Sequence, residues 1–220
     1  MARDSSKQRH LVSRQRLKST IAVNPLVLIV CEGEATEVNY FREIFQEFRV
    51  NKRTYSCIHA EGTQPLKVVN SAIKHCGKNS DWEYVFCVFD RDDHPGYDQA
   101  IKKAQNQVLK NATGKQIEFK VIPSNPCFEL WLLLHYQEQN REDRRDIIVS
   151  KLEKHLKDYE KGGAGLFTQT KADWQLAASR AEQLPGRDDH TNPSTRVDEL
   201  VKRLHSLYQE KNESRSGNGQ

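Results

Sequence analysis

The sequence predicts an α/β protein with a mostly parallel sheet that is flanked by helices and followed by a C-terminal helical extension. Two nearly continuous apolar runs, LVLIVC (residues 26–31) and YVFCVFD (residues 84–90), have the composition of strands that are buried on both faces of a sheet. Strand-like and helix-like patterns alternate four times between residues 25 and 136. This alternation favours a parallel sheet, because parallel strands are usually connected by a helix that covers the sheet.

The elements before residue 124 follow from apolar spacing and from residues that begin or end helices. Thr36 can cap a helix, and Pro65 suits the first turn of another. TYSCIHA and IEFKVIP predict two further strands. The predicted order after the first apolar run is a helix from Thr36 to Phe48, a strand over 54–60, a helix from Pro65 to Gly77, the strand YVFCVFD, a helix over 97–111 and a strand over 117–123.

The segment SNPCFELWLLLHY (residues 124–136) predicts a buried helix. Asn125 is expected as its cap and Pro126 at its first helical position, which suits a residue without a backbone N–H. Apolar residues occupy nearly every side of this helix, so other elements must cover it. Glu129 lies in the first turn, where its charge complements the helix dipole. Because a buried carboxylate needs a partner, Glu129 has a second interpretation as a supporting ligand in a polar site.

The composition changes beyond Gln137 and divides the chain into segments. A charged run over 141–146 and the glycine-rich KGGAG (161–165) interrupt helical patterns. Those helical patterns cover roughly 144–159, 171–184 and 195–211. The predicted segments are a basic flexible tail over 1–24, an α/β core over 25–138, a helical extension packed on the core over 139–212, and a disordered tail over 213–220.

Charge and cysteine content limit the class of protein. The net charge is +4, but residues 1–20 hold six basic residues against one aspartate, which suits either contact with phosphate groups or a solvated terminus. The five cysteines are odd in number and contain no CxxC pair. They indicate buried, reduced thiols rather than a disulfide framework or a zinc site. No apolar run approaches bilayer length, so we expect a soluble, cytoplasmic protein.

Acidic residues follow both of the nearly continuous apolar runs. They are Glu32, Glu34 and Glu37 after the first run, and Asp90, Asp92 and Asp93 at the end of the second. Neighbouring parallel strands end roughly 5 Å apart at one edge of the sheet, where α/β proteins form their sites. Glu32, Asp90 and Asp92 would then share a small volume, which is costly unless a cation or a proton shares it. Oxygen ligands alone favour Mg²⁺ or Mn²⁺, and Gly33 is expected to allow a tight turn after Glu32.

The remaining acids have structural alternatives to a place in this site. Asp92 or Asp93 can cap the helix that follows, and Glu37 lies early in a helix where its charge complements the dipole. Glu34 is a candidate general base on its position alone. Asp93 and Glu129 are additional candidate metal ligands.

Several of these motifs resemble known families. The EG that follows a buried strand, together with the later FDRDD, resembles the topoisomerase–primase (Toprim) domain, in which a glutamate and a D-x-D pair bind divalent metal for strand cleavage or nucleotidyl transfer. VCEGEATEVNYF, VFDRDDH, SNPCFELWLLLHY and NPSTRVDELV resemble the RloB-like family over roughly residues 25–210. By this resemblance Glu32 is the Toprim glutamate and Asp90 and Asp92 are the D-x-D pair. The implied core is Toprim-like.

The resemblance also implies a metal-dependent, nuclease-like effector that hydrolyses phosphodiester bonds in DNA or RNA. RloB-like proteins are linked to prokaryotic abortive infection and antiviral defence, and they are often encoded beside an ABC- or AAA-type ATPase, which is the expected partner. One or two Mg²⁺ or Mn²⁺ ions on Glu32, Asp90 and Asp92 would polarise the scissile phosphate and activate water, with Glu34 as the general base.

Basic side chains near the motifs are candidates for holding the nucleic-acid backbone. Arg91 stands inside the FDRDD motif, and Arg196 stands inside NPSTRVDELV, where it has a second interpretation as a bridge between the last helix and the core. Each candidate is also open to the simpler interpretation of a solvated surface residue. The candidates are Arg91, Lys120, Arg144, Arg145, Lys171 and Arg196.

Other classes of function remain open at this point. A Toprim-fold module that binds an ATPase or nucleic acid without turnover would use the same fold, and a nucleotidyl transferase or primase would use the same metal. A flavodoxin-like receiver also has an acidic Mg²⁺ pocket, but it needs a lysine after a late strand, and VIPSNP supplies none. The sequence does not decide between DNA and RNA substrates, tRNA included.

Overall fold

The structure is a computed structural model that describes residues 24–77, 80–91, 96–157 and 159–216, with side chains described as far as Tyr208. Residues 1–23 of the predicted basic tail lie outside the described residues, as do Asp92 and Asp93.

The described residues form a five-stranded sheet in the order β2-β1-β3-β4-β5. The strands are β1 Val27–Cys31, β2 Tyr55–His59, β3 Tyr84–Asp90, β4 Glu118–Asn125 and β5 Ser194–Thr195. The first four strands are parallel, and β5 joins the edge of β4 in the antiparallel direction. The predicted α/β fold class is therefore confirmed, and its mostly parallel sheet with flanking helices is consistent with a Toprim-like fold.

Helices connect the parallel strands and then continue to the C-terminal side of the sheet. They are α1 Thr36–Glu47, α2 Pro65–His75, α3 Tyr97–Gln105, α4 Glu129–Leu134, α5 Arg145–Glu153, α6 Leu166–Thr170, α7 Trp174–Glu182 and α8 Val197–Ser216, with a short 3₁₀ helix at Lys171–Asp173 between α6 and α7. In the described part of the chain, none of the helices has both the length and the apolar character needed to cross a bilayer.

Each face of the sheet carries its own apolar core. Leu28 of β1 and Val85 of β3 pack with α2 and α3 on one face. Ile29 and Phe86 point to the opposite face and pack with α1 and with α4 to α8. Because side chains alternate along a strand, β1 and β3 must be apolar at every position to serve both cores. This explains the two continuous apolar runs.

The junction between β4 and α4 differs from the prediction. Asn125 does not cap a helix: it is the last residue of β4, and the Asn125–Pro126 peptide bond is cis. Pairing of Ser124 with Thr195 and of Asn125 with Ser194 keeps this residue in the strand. The side chain of Asn125 donates to the backbone oxygen of His190 across 2.9 Å. The helix starts only at Glu129, which is thus its first residue.

The helical extension shares the core rather than standing apart from it. Leu152, Ala177 and Leu200 are buried in the same apolar cluster as α1 and α4. Neither α6 nor β5 was predicted, because five and two residues are too short for periodicity to show. The last helix continues to Ser216, beyond residue 212 where the extension was predicted to end.

The five cysteines are all buried and free, as their spacing predicted. Burial raises the pKa of the Cys76 thiol to about 11. Burial likewise raises the pKa of Cys31, and the nearby Glu37 carboxylate adds to the effect. Thiols held in the neutral form by burial are poor nucleophiles, so these residues serve as packing groups.

Candidate functional site

The ends of β1 and β3 bring two of the predicted acids together. Glu32 follows β1 directly and Asp90 is the last residue of β3, and the two strands are adjacent and parallel. The backbone N–H of Glu32 donates to the oxygen of Val88, which extends the ladder by one residue. Oε2 of Glu32 then accepts a hydrogen bond from the backbone N–H of Asp90 across 2.9 Å. The Glu32 carboxylate is therefore fixed by the backbone at the end of β3.

A cavity of about 470 Å³ opens at this edge of the sheet, and we call it the acidic cavity. Its charged lining residues are Glu32, Glu34, Glu37, Asp90, Glu129, Arg145 and Lys161. Four of its five carboxylates belong to buried residues, whereas Glu34 is exposed at the rim. The cavity therefore concentrates buried negative charge, and two basic side chains partly balance it.

Glu37 enters the cavity through a close approach to Gly33. Gly33 was predicted to allow a tight turn, but it does not adopt a positive φ. A Cβ at Gly33 would instead lie 2.0 Å from Oε2 of Glu37, so only glycine leaves room for this carboxylate. Glu37 stands in the first turn of α1, as predicted, and it also contributes to the site. Its two interpretations are thus compatible.

Thr36 has a different role from the predicted helix cap. It is the first residue of α1, and the helix has no side-chain cap bond. Its Oγ1 accepts a hydrogen bond from the backbone N–H of Gly162 across 2.8 Å. Asn39 donates to the oxygen of Gly162 across 3.1 Å. These two bonds hold the KGGAG loop, with Lys161, against the rim of the acidic cavity.

The buried carboxylates shift each other's ionisation. Burial raises the pKa of Asp90 well above its ordinary value, and the charges of Glu37 and Glu129 raise it further, against the opposing effect of Arg145. Burial also raises the pKa of Glu37, and Glu129 adds to that increase. Such shifts are expected where carboxylates share a small volume, and they mark this cavity as a candidate site.

Glu129 reaches the cavity from the start of α4. Its Oε1 accepts a hydrogen bond from the hydroxyl of Tyr159 across 2.9 Å. Its Oε2 is buried and has no hydrogen-bond partner. An unpartnered buried carboxylate oxygen is costly, and the cost is relieved when a cation or a polar ligand enters. This observation favours the interpretation of Glu129 as part of a site over a role in the helix dipole alone.

The donor set fits a hard divalent cation in its chemistry. Carboxylates make up most of the acceptor side chains that line the cavity, beside the hydroxyls of Thr36 and Thr63, and Oε2 of Glu129 has no hydrogen-bond partner. Within the described ranges, however, no group of three or more His, Cys, Asp or Glu side chains is arranged to hold an ion. Asp92 and Asp93, both predicted ligands, are not among the described residues.

Arg145 supplies positive charge to Asp90 in this arrangement. It is the first residue of α5, and its Nη2 donates to Oδ2 of Asp90 in an ion pair. The side chain of Asp90 is 6% exposed, whereas that of Arg145 is 37% exposed. Arg145 was predicted as a contact for nucleic acid, and the structure places it against a predicted metal ligand.

The comparison with protein families agrees with these observations. A family model for RloB-like protein matches residues 27–204. The chain belongs to the RloB-like family. The matched segment contains every charged residue that lines the acidic cavity. Neither a curated protein nor a solved structure matches this RloB-like chain.

A second, larger depression of about 1080 Å³ adjoins the acidic cavity, and Arg145 lines both. We call it the arginine cleft, after its lining residues Arg91, Arg144 and Arg145. Arg91 lies over the ring of Tyr97, 5.0 Å from its centroid, and donates to the oxygen of His190 across 2.7 Å. The cleft also contains acidic side chains, namely Asp98, Glu142, Asp146 and Glu153.

The other basic candidates of this RloB-like protein lie elsewhere. Arg196 donates to Glu199 and to the backbone oxygen of Arg187, each across 2.7 Å, which matches its second interpretation as a structural bridge. Lys171 pairs with Glu47 across 2.9 Å. Lys120 pairs with Glu118 across 3.3 Å on the same strand. None of the three lines the acidic cavity or the arginine cleft.

Sequence reasoning missed Lys161, Tyr159 and the contact of Arg145 with Asp90. Each comes from the helical extension, far along the chain from Glu32 and Asp90, so spacing carries no signal of the contact. The glycines of KGGAG gave a partial signal. Gly162 and Gly165 both have a positive φ, a backbone conformation that favours glycine.

Proposed function

We propose that this RloB-like protein is a metal-dependent nuclease that hydrolyses phosphodiester bonds in nucleic acid. The observation that carries the proposal is the pairing of Glu32 and Asp90 at the ends of adjacent parallel strands, joined by a 2.9 Å hydrogen bond at the acidic cavity. In α/β enzymes, the active site usually lies at the carboxyl ends of the parallel strands, where this pair of carboxylates lies. Four buried acidic residues in one cavity are hard to explain as packing groups.

Mg²⁺ or Mn²⁺ would be held by Glu32 and Asp90, with support from Glu129 and, as the sequence predicts, from Asp92. When bound, the ion would polarise the scissile phosphate and lower the pKa of a bound water molecule. Asp93 stays a predicted ligand on sequence grounds alone.

The protein's own side chains supply the remaining functions. The hydrogen bond from the Asp90 N–H fixes the rotamer of Glu32, and the hydroxyl of Tyr159 fixes Glu129. Glu34 is exposed at the rim of the same cavity, where it can accept a proton from an attacking water. Lys161 lines the rim on the loop held by Thr36 and can balance the charge of a phosphate.

The arginine cleft is the proposed path of the substrate backbone. Arg91, Arg144 and Arg145 line it beside the acidic cavity, so a strand in the cleft would bring one phosphate to the carboxylates. Contacts between arginines and phosphates release counterions, so binding should weaken steeply as salt is raised. Lys171 and Arg196 are not needed for this path.

The family resemblance supports a role in prokaryotic antiviral defence in the cytoplasm, together with an ABC- or AAA-type ATPase. We expect the nuclease to act with that partner, and the substrate is DNA or RNA.

Cleavage assays test the proposal. Panels of DNA and RNA, tRNA included, are incubated with the protein, alone and with its ATPase partner, in Mg²⁺ or Mn²⁺ or with a chelator. Cleavage should require the metal and should be lost in Glu32→Gln and Asp90→Asn. Glu61→Gln is the matched control, since its carboxylate is 89% exposed and lies outside the cavity. Metal-independent cleavage, or full activity in the first two variants, would overturn the proposal.

A second candidate is a Toprim-fold module that docks an ATPase or nucleic acid without turnover. The ion pair between Arg145 and Asp90 favours it, because an arginine there neutralises the carboxylate without any metal. Partner binding that survives while no nucleic acid is cleaved, with or without the partner, would support this candidate instead.

A further inference from the structure

We infer that Arg145 is a positioning residue shared between Asp90 and a phosphate of the substrate, so that metal and nucleic acid bind cooperatively. The inference rests on the proposed function and concerns the order of events in the same site. In the absence of substrate the guanidinium holds Asp90. When a phosphate occupies the arginine cleft, the guanidinium turns to it and leaves Asp90 to the ion.

The position of Arg145 between two compartments carries the first step. It is the only residue that lines both the acidic cavity and the arginine cleft, among the residues described as lining either. Its side chain is 37% exposed, so it can change rotamer without unpacking the core, whereas Asp90 is 6% exposed and fixed at the end of β3. We therefore expect the side chain of Arg145, and not that of Asp90, to move when a ligand binds.

The charge balance of the cavity carries the second step. Asp90 is buried and lines the same cavity as Glu37, Glu129 and Glu32, and Arg145 pairs with it. A divalent ion on the same carboxylate would supply more positive charge than the guanidinium does. The guanidinium and the ion are both positive, and they would compete for Oδ2 of Asp90. An ion can bind there only when Arg145 withdraws.

A phosphate bound in the arginine cleft could pair with Arg145 in place of Asp90. Arginine binds phosphate through two parallel hydrogen bonds, and Arg91 and Arg144 line the same cleft. A phosphate there would stabilise the withdrawn rotamer and so strengthen metal binding at Asp90. Linkage requires the reverse as well: a bound ion must strengthen the binding of nucleic acid by the same factor.

Mn²⁺ binding, measured from the EPR signal of the free ion at pH 8 and constant ionic strength, tests the inference without relying on catalysis. The probes are Mn²⁺ alone and Mn²⁺ with phosphorothioate-linked U10 or dT10, after subtraction of binding to the decamer itself. The variants are Arg145→Gln and Arg145→Lys. Lys171→Gln is the matched control, because the Lys171 side chain is 40% exposed, pairs with Glu47 and lines neither the acidic cavity nor the arginine cleft.

We expect Arg145→Gln to bind Mn²⁺ on the order of tenfold more tightly than the wild type without any decamer. A decamer should tighten Mn²⁺ binding by a similar factor in the wild type, in Arg145→Lys to a smaller extent, and not in Arg145→Gln. Lys171→Gln should match the wild type both without and with a decamer.

Equal or weaker Mn²⁺ binding in Arg145→Gln would overturn the inference and leave the proposed nuclease function standing. If Arg145→Gln does not fold, the wild-type protein alone still tests the inference. Mn²⁺ binding to the wild type that neither decamer strengthens would also overturn the inference. Absence of any Mn²⁺ binding that depends on Glu32 and Asp90 would instead remove the proposed function itself.

Discussion

Oε2 of Glu32 accepts a hydrogen bond from the backbone N–H of Asp90 across 2.9 Å, and this bond joins the two strand ends from which the acidic cavity is built. The Glu32 side chain therefore has two functions. It completes the hydrogen bonding of the sheet edge, and it lines the acidic cavity. A substitution that keeps the acceptor but removes the charge separates the two.

Glu32→Gln retains an amide oxygen that can accept the bond from Asp90 but removes the negative charge. We expect cleavage to fall by about a hundredfold or more, with the free energy of unfolding little changed. Glu32→Ala leaves the buried N–H of Asp90 without its partner and should also cost about 1–3 kcal/mol of stability. Cleavage assays and urea denaturation check both expectations. Equal stability of the two variants would show that the hydrogen bond does not matter for folding.

Gly33→Ala places a Cβ 2.0 Å from Oε2 of Glu37. Because the contact is with the end of a side chain, we expect Glu37 to turn away rather than the backbone to shift, at a cost of about 1 kcal/mol. The cavity then loses one carboxylate, so Mn²⁺ affinity should fall several-fold. Gly96→Ala is the control, since its Cβ would lie 3.8 Å from Leu66, an ordinary contact. Mn²⁺ titration distinguishes them, and unchanged affinity in Gly33→Ala would contradict this account.

The convergence of Glu32 and Asp90 could be predicted from the sequence because strand order and strand direction decide it. Continuous apolar runs indicate parallel strands, parallel strands end at one edge, and the acids stand directly after those ends. The family motifs pointed to the same pair. In contrast, Asp92 gave an equally strong sequence signal and Asp93 a weaker one, but both lie outside the described residues and stay predictions.

Contacts between distant segments could not be predicted in the same way. The whole of α3, β4 and α4 lies between Asp90 and Arg145 in the sequence, and nothing in the neighbourhood of Arg145 distinguishes it from Arg144. The structure separates the two, since Arg145 pairs with buried Asp90 and Arg144 with exposed Asp146. The strand β5 was missed for a related reason: two polar residues show no periodicity, and only pairing with β4 makes them a strand.

Tyr159→Phe removes the donor to Oε1 of Glu129, while Oε2 already has no partner. The buried Glu129 carboxylate would then lose its hydroxyl donor, and we expect a loss of about 1–3 kcal/mol of stability. Added Mn²⁺ should recover part of the loss if Glu129 supports an ion. Tyr136→Phe is the control, because Tyr136 is partly exposed and stacks on His155. Thermal denaturation with and without Mn²⁺ checks this, and equal effects of the two substitutions would contradict it.

Arg144 and Arg196 were both predicted as candidate nucleic-acid contacts, Arg196 with a second interpretation as a structural bridge, and the structure predicts opposite results for them. Arg144→Ala should weaken binding and lower the slope of log affinity against log salt by about 1, with stability changed by less than about 0.5 kcal/mol. Arg196→Ala should lower stability, because its bonds to Glu199 and to the Arg187 backbone are partly buried, and leave the salt slope unchanged. Anisotropy titrations over a salt series and denaturation decide between them. If Arg196→Ala also lowers the slope of log affinity against log salt, Arg196 contacts the nucleic acid after all.

The raised pKa values of Asp90 and Glu37 predict how stability depends on pH without metal. Because these carboxyls hold protons more tightly in the folded than in the unfolded state, their contribution is complete below the ordinary carboxyl pKa of about 4 and is lost as pH rises through the raised values. The metal-free protein should therefore become less stable as pH rises from the ordinary carboxyl pKa through the raised values. Glu37→Gln removes one of the charges and should reduce this loss.

Metal binding has the opposite dependence on pH, because an ion binds the ionised carboxylates. Mn²⁺ affinity and cleavage should rise as pH rises through the raised pKa of Asp90. Since the charge of Glu37 contributes to that pKa, Glu37→Gln should move the midpoint of the rise to lower pH, whereas Glu61→Gln should not move it. Mn²⁺ titrations from pH 5 to pH 9 measure both midpoints. If the midpoint is the same in Glu37→Gln and in the wild type, the charge of Glu37 does not affect the ionisation of Asp90. The carboxylates of the acidic cavity would then not form one electrostatic site.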